Sequence, residues 1–156
     1  MVGSGTKWSE SGGIMFIGEY EHNIDAKGRA IIPAKFREGL GANFVISKEV
    51  DGCLGIYTMD AWIKLVENFN KIPSTDKLAT SYKRFRLSGA NECEPDANGR
   101  VMIPQNLRTF AGIDKEVVSI GQGNKVEIWD KVKWDEYQSS LNFDDFDLES
   151  LNGYGL

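Results

Sequence analysis

Apolar residues in this chain fall in short runs broken by Gly, Asp and Pro, the pattern of strands joined by tight turns. Phe16 to Ile24 and Leu87 to Pro95 read as extended segments. Ala30-Ile31-Ile32 and Val101-Met102-Ile103 read as short apolar strands beyond a turn. Phe44–Ser47 with Leu54–Tyr57, and Val117–Ile120 with Val126–Trp129, predict two further strand pairs. Short helices are expected through Phe36–Leu40 and Leu107–Ala111. Pro33 and Pro104 suit their first helical position, where a missing N–H costs nothing, and Gly41 and Gly112 suit their ends.

Helical spacing is clearer elsewhere. Trp62, Leu65, Val66 and Phe69 recur on one face of a helix. Ser74 is placed to cap a second, whose Leu78, Tyr82 and Phe85 share a face opposite much of a basic run. Val132 to Leu141 predicts a third, and beyond Asn142 an acidic, frayed tail is expected.

These elements occur twice. Asp25-Ala-Lys-Gly-Arg29-Ala-Ile-Ile-Pro33 returns as Asp96-Ala-Asn-Gly-Arg100-Val-Met-Ile-Pro104, shifted by 71 positions. The same shift aligns Gly18 with Gly89, Arg37 with Arg108 and Gly41 with Gly112. One extra residue brings Gly55-Ile56-Tyr57 onto Glu127-Ile128-Trp129, and Trp62 onto Trp134. Two copies of one folding unit are present. Neither copy has enough apolar surface to stand alone, so the two are expected to interleave into one small closed barrel. The expected organisation is an unstructured leader or cloning remnant at 1–14, a first copy with its helix at 15–73, a linking helix and second copy at 74–141, and a flexible acidic tail at 142–156.

Composition changes little of this. No apolar run approaches the ~20 residues of a membrane helix, and with no secretory signal the cytoplasm is the expected compartment. Cys53 and Cys93 are isolated from each other and fit no zinc spacing, so both read as buried thiols. The net charge of −5 is unevenly placed: Asp144, Asp145, Asp147 and Glu149 give the last sixteen residues −4. Lys7 and Glu10 cancel, which leaves residues 15–140 at −1. That body carries a basic segment with Lys27, Arg29, Lys35 and Arg37, and a second with Lys77, Lys83, Arg84 and Arg86. Charge alone favours an ordinary solvated surface for both.

The repeated motif is where chemistry enters. A tight turn accounts for Asp25, Gly28, Asp96 and Gly99, since Asp can bond the backbone two residues on and Gly accepts positive φ. Helix starts account for the two prolines, and burial for Ile32 and Ile103. Arg29 and Arg100 have no such explanation. Two readings stand open: guanidinium groups that bond phosphate or the O6 and N7 atoms of guanine, or a structural Arg–carboxylate bond.

From Met15 to about Tyr137 the chain resembles the MraZ family of small bacterial regulators. The resemblance is carried by Met15-Phe16-x-Gly18, Asp25-x-Lys27-Gly28-Arg29, Ile32-Pro33 and Arg37. It continues through Gly89, Cys93, Asp96, Gly99-Arg100, Ile103-Pro104, Leu107-Arg108 and Ala111-Gly112. The string Lys115-Glu116-Val117 and the longer Ile120-Gly121-Gln122-x-Asn124-Lys125-x-Glu127-Ile128-Trp129 complete it. That family is similar to AbrB and SpoVT regulators. The resemblance therefore implies a mainly β, α+β fold: a pseudo-twofold double-psi or swapped-hairpin β-barrel from two tandem repeats, with added helices. It implies that Arg29 and Arg100 read double-stranded promoter DNA, that Lys27 contacts phosphate, and that Asn98 takes Lys27's place in the second copy. It also implies a homo-oligomeric ring, nucleoid-associated, binding short direct repeats upstream of its own division and cell-wall operon. Trp62, Phe69 and Trp134 exceed what a small barrel needs, which fits such assembly. No cofactor, metal, membrane or small-molecule substrate is expected.

Two other classes stay in view. An enzyme would have to work with His22 alone and two isolated cysteines, and no catalytic constellation can be drawn from them. An antitoxin-like interaction module of the same fold could use the Phe143-Asp-Asp-Phe146 tail to grip a protein partner.

Overall fold

The computed structural model describes residues 15–156, and the expected leader at 1–14 lies outside them. In chain order the strands are β1 (Glu19–Asn23), β2 (Arg29–Ile31), β3 (Phe44–Lys48), β4 (Leu54–Thr58), β5 (Asn91–Cys93), β6 (Arg100–Met102), β7 (Glu116–Gly121) and β8 (Val126–Asp130). The helices are α1 (Ala34–Leu40), α2 (Met59–Phe69), α3 (Lys77–Ser88), α4 (Gln105–Ala111) and α5 (Lys131–Ser139).

The two copies exchange strands. Six strands form one antiparallel sheet in the order β1-β7-β8-β4-β3-β5, and β2 pairs with β6 in a separate two-stranded ribbon. First-copy β1 therefore lies on second-copy β7, with Glu19 opposite Ile120 and Asn23 opposite Glu116. Second-copy β5 returns the favour on β3, with Cys93 opposite Phe44. Two repeat-equivalent pairs mark a pseudo-twofold axis: Ala30 faces Val101 in the ribbon, and Gly55 faces Glu127 between β4 and β8.

Both copies feed one core. Ala30 and Val101, Ile32 and Ile103, Phe36 and Leu107, Leu40 and Ala111, and Ile46 and Val117 are repeat-equivalent, and all are buried in the same cluster. Burying one such aliphatic or aromatic side chain contributes about 1.5–3 kcal/mol, so half of this set could not hold half of this fold. Cys53 and Cys93 are free and buried, as read from the sequence, and burial pushes both thiols up, Cys93 to about 11.

A second, polar cluster joins α3 to both copies. Arg86 Nη2 donates to Tyr57 Oη at 2.7 Å and to Glu49 Oε2 at 3.3 Å, while Nη1 donates to Tyr82 Oη at 2.7 Å. The Tyr57 hydroxyl donates to Glu49, and second-copy Lys125 pairs with the other Glu49 oxygen at 3.1 Å. Burial, then the Glu49 bond, pushes Tyr57 up to about 12. A Cβ on Gly55 would collide with the Glu49 carboxylate, so glycine is what lets that carboxylate cross the strand.

Several expectations are corrected. Leu87 and Ser88 are the end of α3 rather than extended chain, and only Asn91–Cys93 pairs as a strand. The reason is Arg86, whose buried ion pair and the packing of Leu87 beside Val45, Tyr57 and Trp62 carry the helix one turn further. Asp76, not Ser74, caps α3, its side chain accepting from Ala79 N at 3.1 Å. The α3 face bearing Leu78 and Tyr82 is exposed, and Arg86 of the basic run is buried. Pro33 and Pro104 sit at the cap position with extended ψ of 137° and 148°, one residue earlier than expected. Their carbonyls start the helices instead, accepting from Arg37 and Arg108 N–H at 3.0 Å. Past Asn142 the chain forms two short 3-10 segments, Phe143–Asp145 and Leu148–Tyr154, rather than a frayed end. The aromatics set aside for assembly are used within the chain: Trp62 packs on Tyr57, Phe69 on Tyr82, and Trp134 on Trp129 and Tyr137.

Candidate nucleic-acid interface

Each repeated motif folds into the same turn. In the first, Asp25 O accepts from Gly28 N at 2.9 Å and Asp25 N donates to Arg29 O at 2.8 Å. Gly28 has φ of 84°, a region closed to most side chains. The Asp25 side chain does two further things. Its Oδ1 accepts from Lys27 N and Arg29 N, both at 2.9 Å, and its Oδ2 accepts from Arg29 Nε at 2.8 Å. Asp96, Asn98, Gly99 and Arg100 repeat the arrangement at the same distances, with Gly99 at φ 78°. The Arg29 and Arg100 backbone N–H groups, followed by their side chains, hold both carboxyls below the ordinary carboxylate range.

The Arg–carboxylate bond is thus present in both copies, and it does not consume the arginine. Only Nε is engaged, and among the described residues no protein acceptor meets either pair of terminal nitrogens. A carboxylate on Nε fixes the plane of the guanidinium and leaves its outer edge, the edge that makes paired hydrogen bonds, directed away.

The ribbon brings the two turns together. Ala30 and Val101 point into the core, so Arg29, Ile31, Arg100 and Met102 point out. Arg29 is opposite Met102 and Arg100 opposite Ile31, which makes the arginines diagonal neighbours, about 7–8 Å apart at the backbone. Ile31 and Met102 are half exposed between them. The sequence reading placed all of these residues correctly on turns and strands. Ile31 and Met102 read from the sequence only as members of short apolar strands, and the alternation against Ala30 and Val101 puts them at the surface. Lys27 and Asn98 are exposed at the turn tips.

Each turn also borrows a cation from the other copy. An atom in the Cβ position of Gly28 would lie 2.7 Å from Arg108 Nε and Cζ, and one on Gly99 would meet Arg37 Nη1. Arg108 Nε donates to Ile103 O at 2.9 Å, and Ile103 N donates to Gly28 O at 2.8 Å. The matched positions 37 and 108 were visible as a repeat, but their place against the opposite turn was not.

His22, the sole histidine, lies on β1, outside the ribbon. Its Nε2 lies 2.6 Å from Ser119 Oγ, a hydroxyl fully buried on β7. Among the described residues no cluster of His, Cys, Asp or Glu could hold a metal ion, and no helix is long and apolar enough to cross a membrane.

A single α+β molecule made of two strand-exchanging copies, with paired Asp–Arg turns on one ribbon, is the class that fold and site define. The family described as "MraZ protein, putative antitoxin-like" matches residues 15–85 and again 87–150. A transcriptional regulator MraZ from Clostridium beijerinckii is 51% identical over 143 residues, spanning 91% of this chain and 100% of its own length. Transcriptional regulators MraZ from Finegoldia magna and Caldanaerobacter subterraneus subsp. tengcongensis are 50% and 51% identical over 144 residues, with the same coverage. The chain belongs to the MraZ family.

Proposed function

We propose that the protein is a transcriptional regulator that binds double-stranded promoter DNA through the β2–β6 ribbon. The observation that carries this reading is the pair of diagonal, carboxylate-oriented guanidiniums on one outward face. A two-stranded ribbon fits the DNA major groove, where arginine pairs with guanine and apolar side chains meet the thymine methyl. Arg29 and Arg100 are the base readers in this proposal, Ile31 and Met102 their apolar companions, and Lys27 and Asn98 the contacts at the tips. The exchanged pairing of β1 with β7 and β5 with β3 supports a swapped-hairpin barrel as the frame, with the two copies divided near residue 73.

Each Asp–Arg pair is electrically neutral, so one ribbon brings little net charge to DNA. Lys27 adds a charge to the first turn that Asn98 cannot add to the second. We therefore place the protein on its DNA as a closed homo-oligomer whose weak ribbons engage neighbouring direct repeats together, gaining affinity through effective concentration. Such sites upstream of its own division and cell-wall gene cluster, on the cytoplasmic nucleoid, fit the family. The test is selection of bound fragments from random duplex DNA, followed by binding of the selected site across a salt series. Recovery of no sequence, or of one bound without salt dependence, would remove the proposal.

A further inference from the structure

The ribbon has a pseudo-twofold axis, and few residues break it. The register Arg29–Met102, Ala30–Val101 and Ile31–Arg100 centres the axis on Ala30 and Val101. A half-turn about it carries Asp25 onto Asp96, Gly28 onto Gly99 and Arg29 onto Arg100, with the same hydrogen bonds at the same distances. The cations behind the turns, Arg108 and Arg37, exchange as well. Within the turns and the ribbon, two outward pairs do not match: Lys27 with Asn98, and Ile31 with Met102.

These differences sort by end. The first turn, with Lys27 and Arg29, shares its end of the ribbon with Met102, which lies directly opposite Arg29. The second turn, with Asn98 and Arg100, shares the other end with Ile31 in the same way. Ile31 and Met102 are 50% and 49% exposed, and Lys27 and Asn98 are exposed at the tips. Among the described residues neither the Lys27 ammonium nor the Asn98 side-chain amide has a protein partner, since only their backbone N–H groups are bonded.

The chemistry of the two ends differs accordingly. An ammonium on a flexible stem attracts phosphate, which carries no base information. Methionine is unbranched and fits surfaces of several shapes. An asparagine amide, by contrast, pairs with the N6 and N7 atoms of adenine, and an apolar side chain meets the thymine methyl. Isoleucine meets it from a χ1 restricted by its branch, so a displaced methyl is a lost contact. The second-copy end thus holds three base-reading groups, Asn98, Arg100 and Ile31. The first-copy end holds one arginine, a phosphate anchor and an adaptable neighbour.

We propose that the ribbon divides its roles by end: the Lys27–Arg29–Met102 end grips DNA, while the Asn98–Arg100–Ile31 end selects sequence and so fixes which way round the ribbon lies. This rests on the proposed binding of promoter DNA by the ribbon and names the groups that decide its orientation. A half-turn of the ribbon on its site would move the three readers onto bases they do not match, while Lys27 would find phosphate equally well.

Orientation is read by DNA cleavage from an iron chelate tethered to the full-length chain. Cys53 and Cys93 are buried, so a chelate on Ala97→Cys or on Ala26→Cys, both exposed positions, reports a single turn tip. On the duplex recovered by selection, Ala97→Cys should cut beside the most constrained base pairs and Ala26→Cys beside the opposite end. Exchanging four residues, Lys27→Asn, Asn98→Lys, Ile31→Met and Met102→Ile, should reverse the two flanks, because the backbone beneath them is pseudo-twofold. Asn98→Lys alone should tighten scrambled duplex more than selected duplex and steepen the log–log salt slope by ~0.9 for each ribbon engaged. All four side chains are at the surface, so each variant's urea midpoint should match the wild type, and the unexchanged flanks and Asn98→Lys test the proposal without the fourfold variant. Equal cutting at both flanks, flanks that stay put in a folded fourfold exchange, or an Asn98→Lys that keeps full discrimination overturns the division and leaves ribbon binding standing. A wild type without sequence-selective binding overturns both.

Discussion

The guanidinium of Arg108 occupies the space into which a Cβ on Gly28 would project, and Arg37 stands in the same relation to Gly99. The two arginines are repeat-equivalent, and each packs against the turn of the other copy. Gly28 is thus constrained twice, by its positive φ and by its neighbour. Gly28→Ala should cost ~2–3 kcal/mol, the sum of a left-handed non-glycine residue and a disturbed Arg108–Ile103 bond. Gly99→Ala should cost less, because Arg37 holds no such carbonyl among the described residues and can swing aside. Urea denaturation of the two variants gives the order.

Arg29→Ala and Arg100→Ala leave the Asp, Gly and Pro of each turn in place and should fold. Each should lose ~1–3 kcal/mol of preference for the selected site per ribbon engaged. Lys27→Ala should instead weaken selected and scrambled duplexes alike and flatten the salt dependence. Titrations of folded variants against both duplexes separate the roles. If Arg29→Ala keeps full affinity and discrimination, its bond to Asp25 is its whole purpose.

The pH dependence of the turns follows from Asp25 and Asp96. Both carboxyls are held below their ordinary value of 3.8, first by the backbone N–H of Arg29 or Arg100. A depressed carboxylate stabilises the fold above its unfolded-state pKa, and that contribution is lost as pH falls through the folded value. The turns should therefore keep their bonds through pH 5 and loosen only in the acid range below about 3.9. Carboxyl titration by NMR checks this. Because the leading cause is the backbone, Arg29→Ala should raise the Asp25 midpoint only part of the way.

Arg86→Met should be among the most damaging single changes outside the core. It leaves the buried Glu49 carboxylate with Lys125 and Tyr57 alone, and breaking a buried pair on one side costs ~3–5 kcal/mol. Adding Glu49→Leu should recover part of the loss, since the uncompensated charge goes with it. Thermal unfolding of the single and double variants measures both.

A chain ending near Lys71 should not fold as a monomer. It would retain β1 without β7, β2 without β6, β3 without β5 and β4 without β8, four open strand edges over half a core. The intact protein should unfold in urea in one transition. A stable monomeric fragment, seen by circular dichroism and sedimentation, would contradict the shared core.

Much of this was readable beforehand because a repeat prints its turns, prolines and buried positions twice. Ile32 with Ile103 reads as core in this way, and Phe36 with Leu107 as matched positions of two short helices. Interleaving of the copies was expected from their small size, but which strand lies on which was not readable: the same pattern serves β1 whether it pairs within its own copy or across. Arg86 misled for another reason, since its partners Glu49 and Tyr57 lie far off in sequence and a basic run otherwise reads as surface. Ile31 and Met102 stayed unassigned between core and surface, because three apolar residues in a row do not show which one faces out.

Strand exchange also has a consequence during synthesis. Glu19 meets Ile120 only when residue 120 has been made, 101 positions later. At ~5–20 residues per second, the first strand waits about 5–20 s for its neighbour. Over that interval Tyr20 and Phe36 have only first-copy residues to cover them, and the nascent chain is exposed to proteases and to mispairing with chains on neighbouring ribosomes.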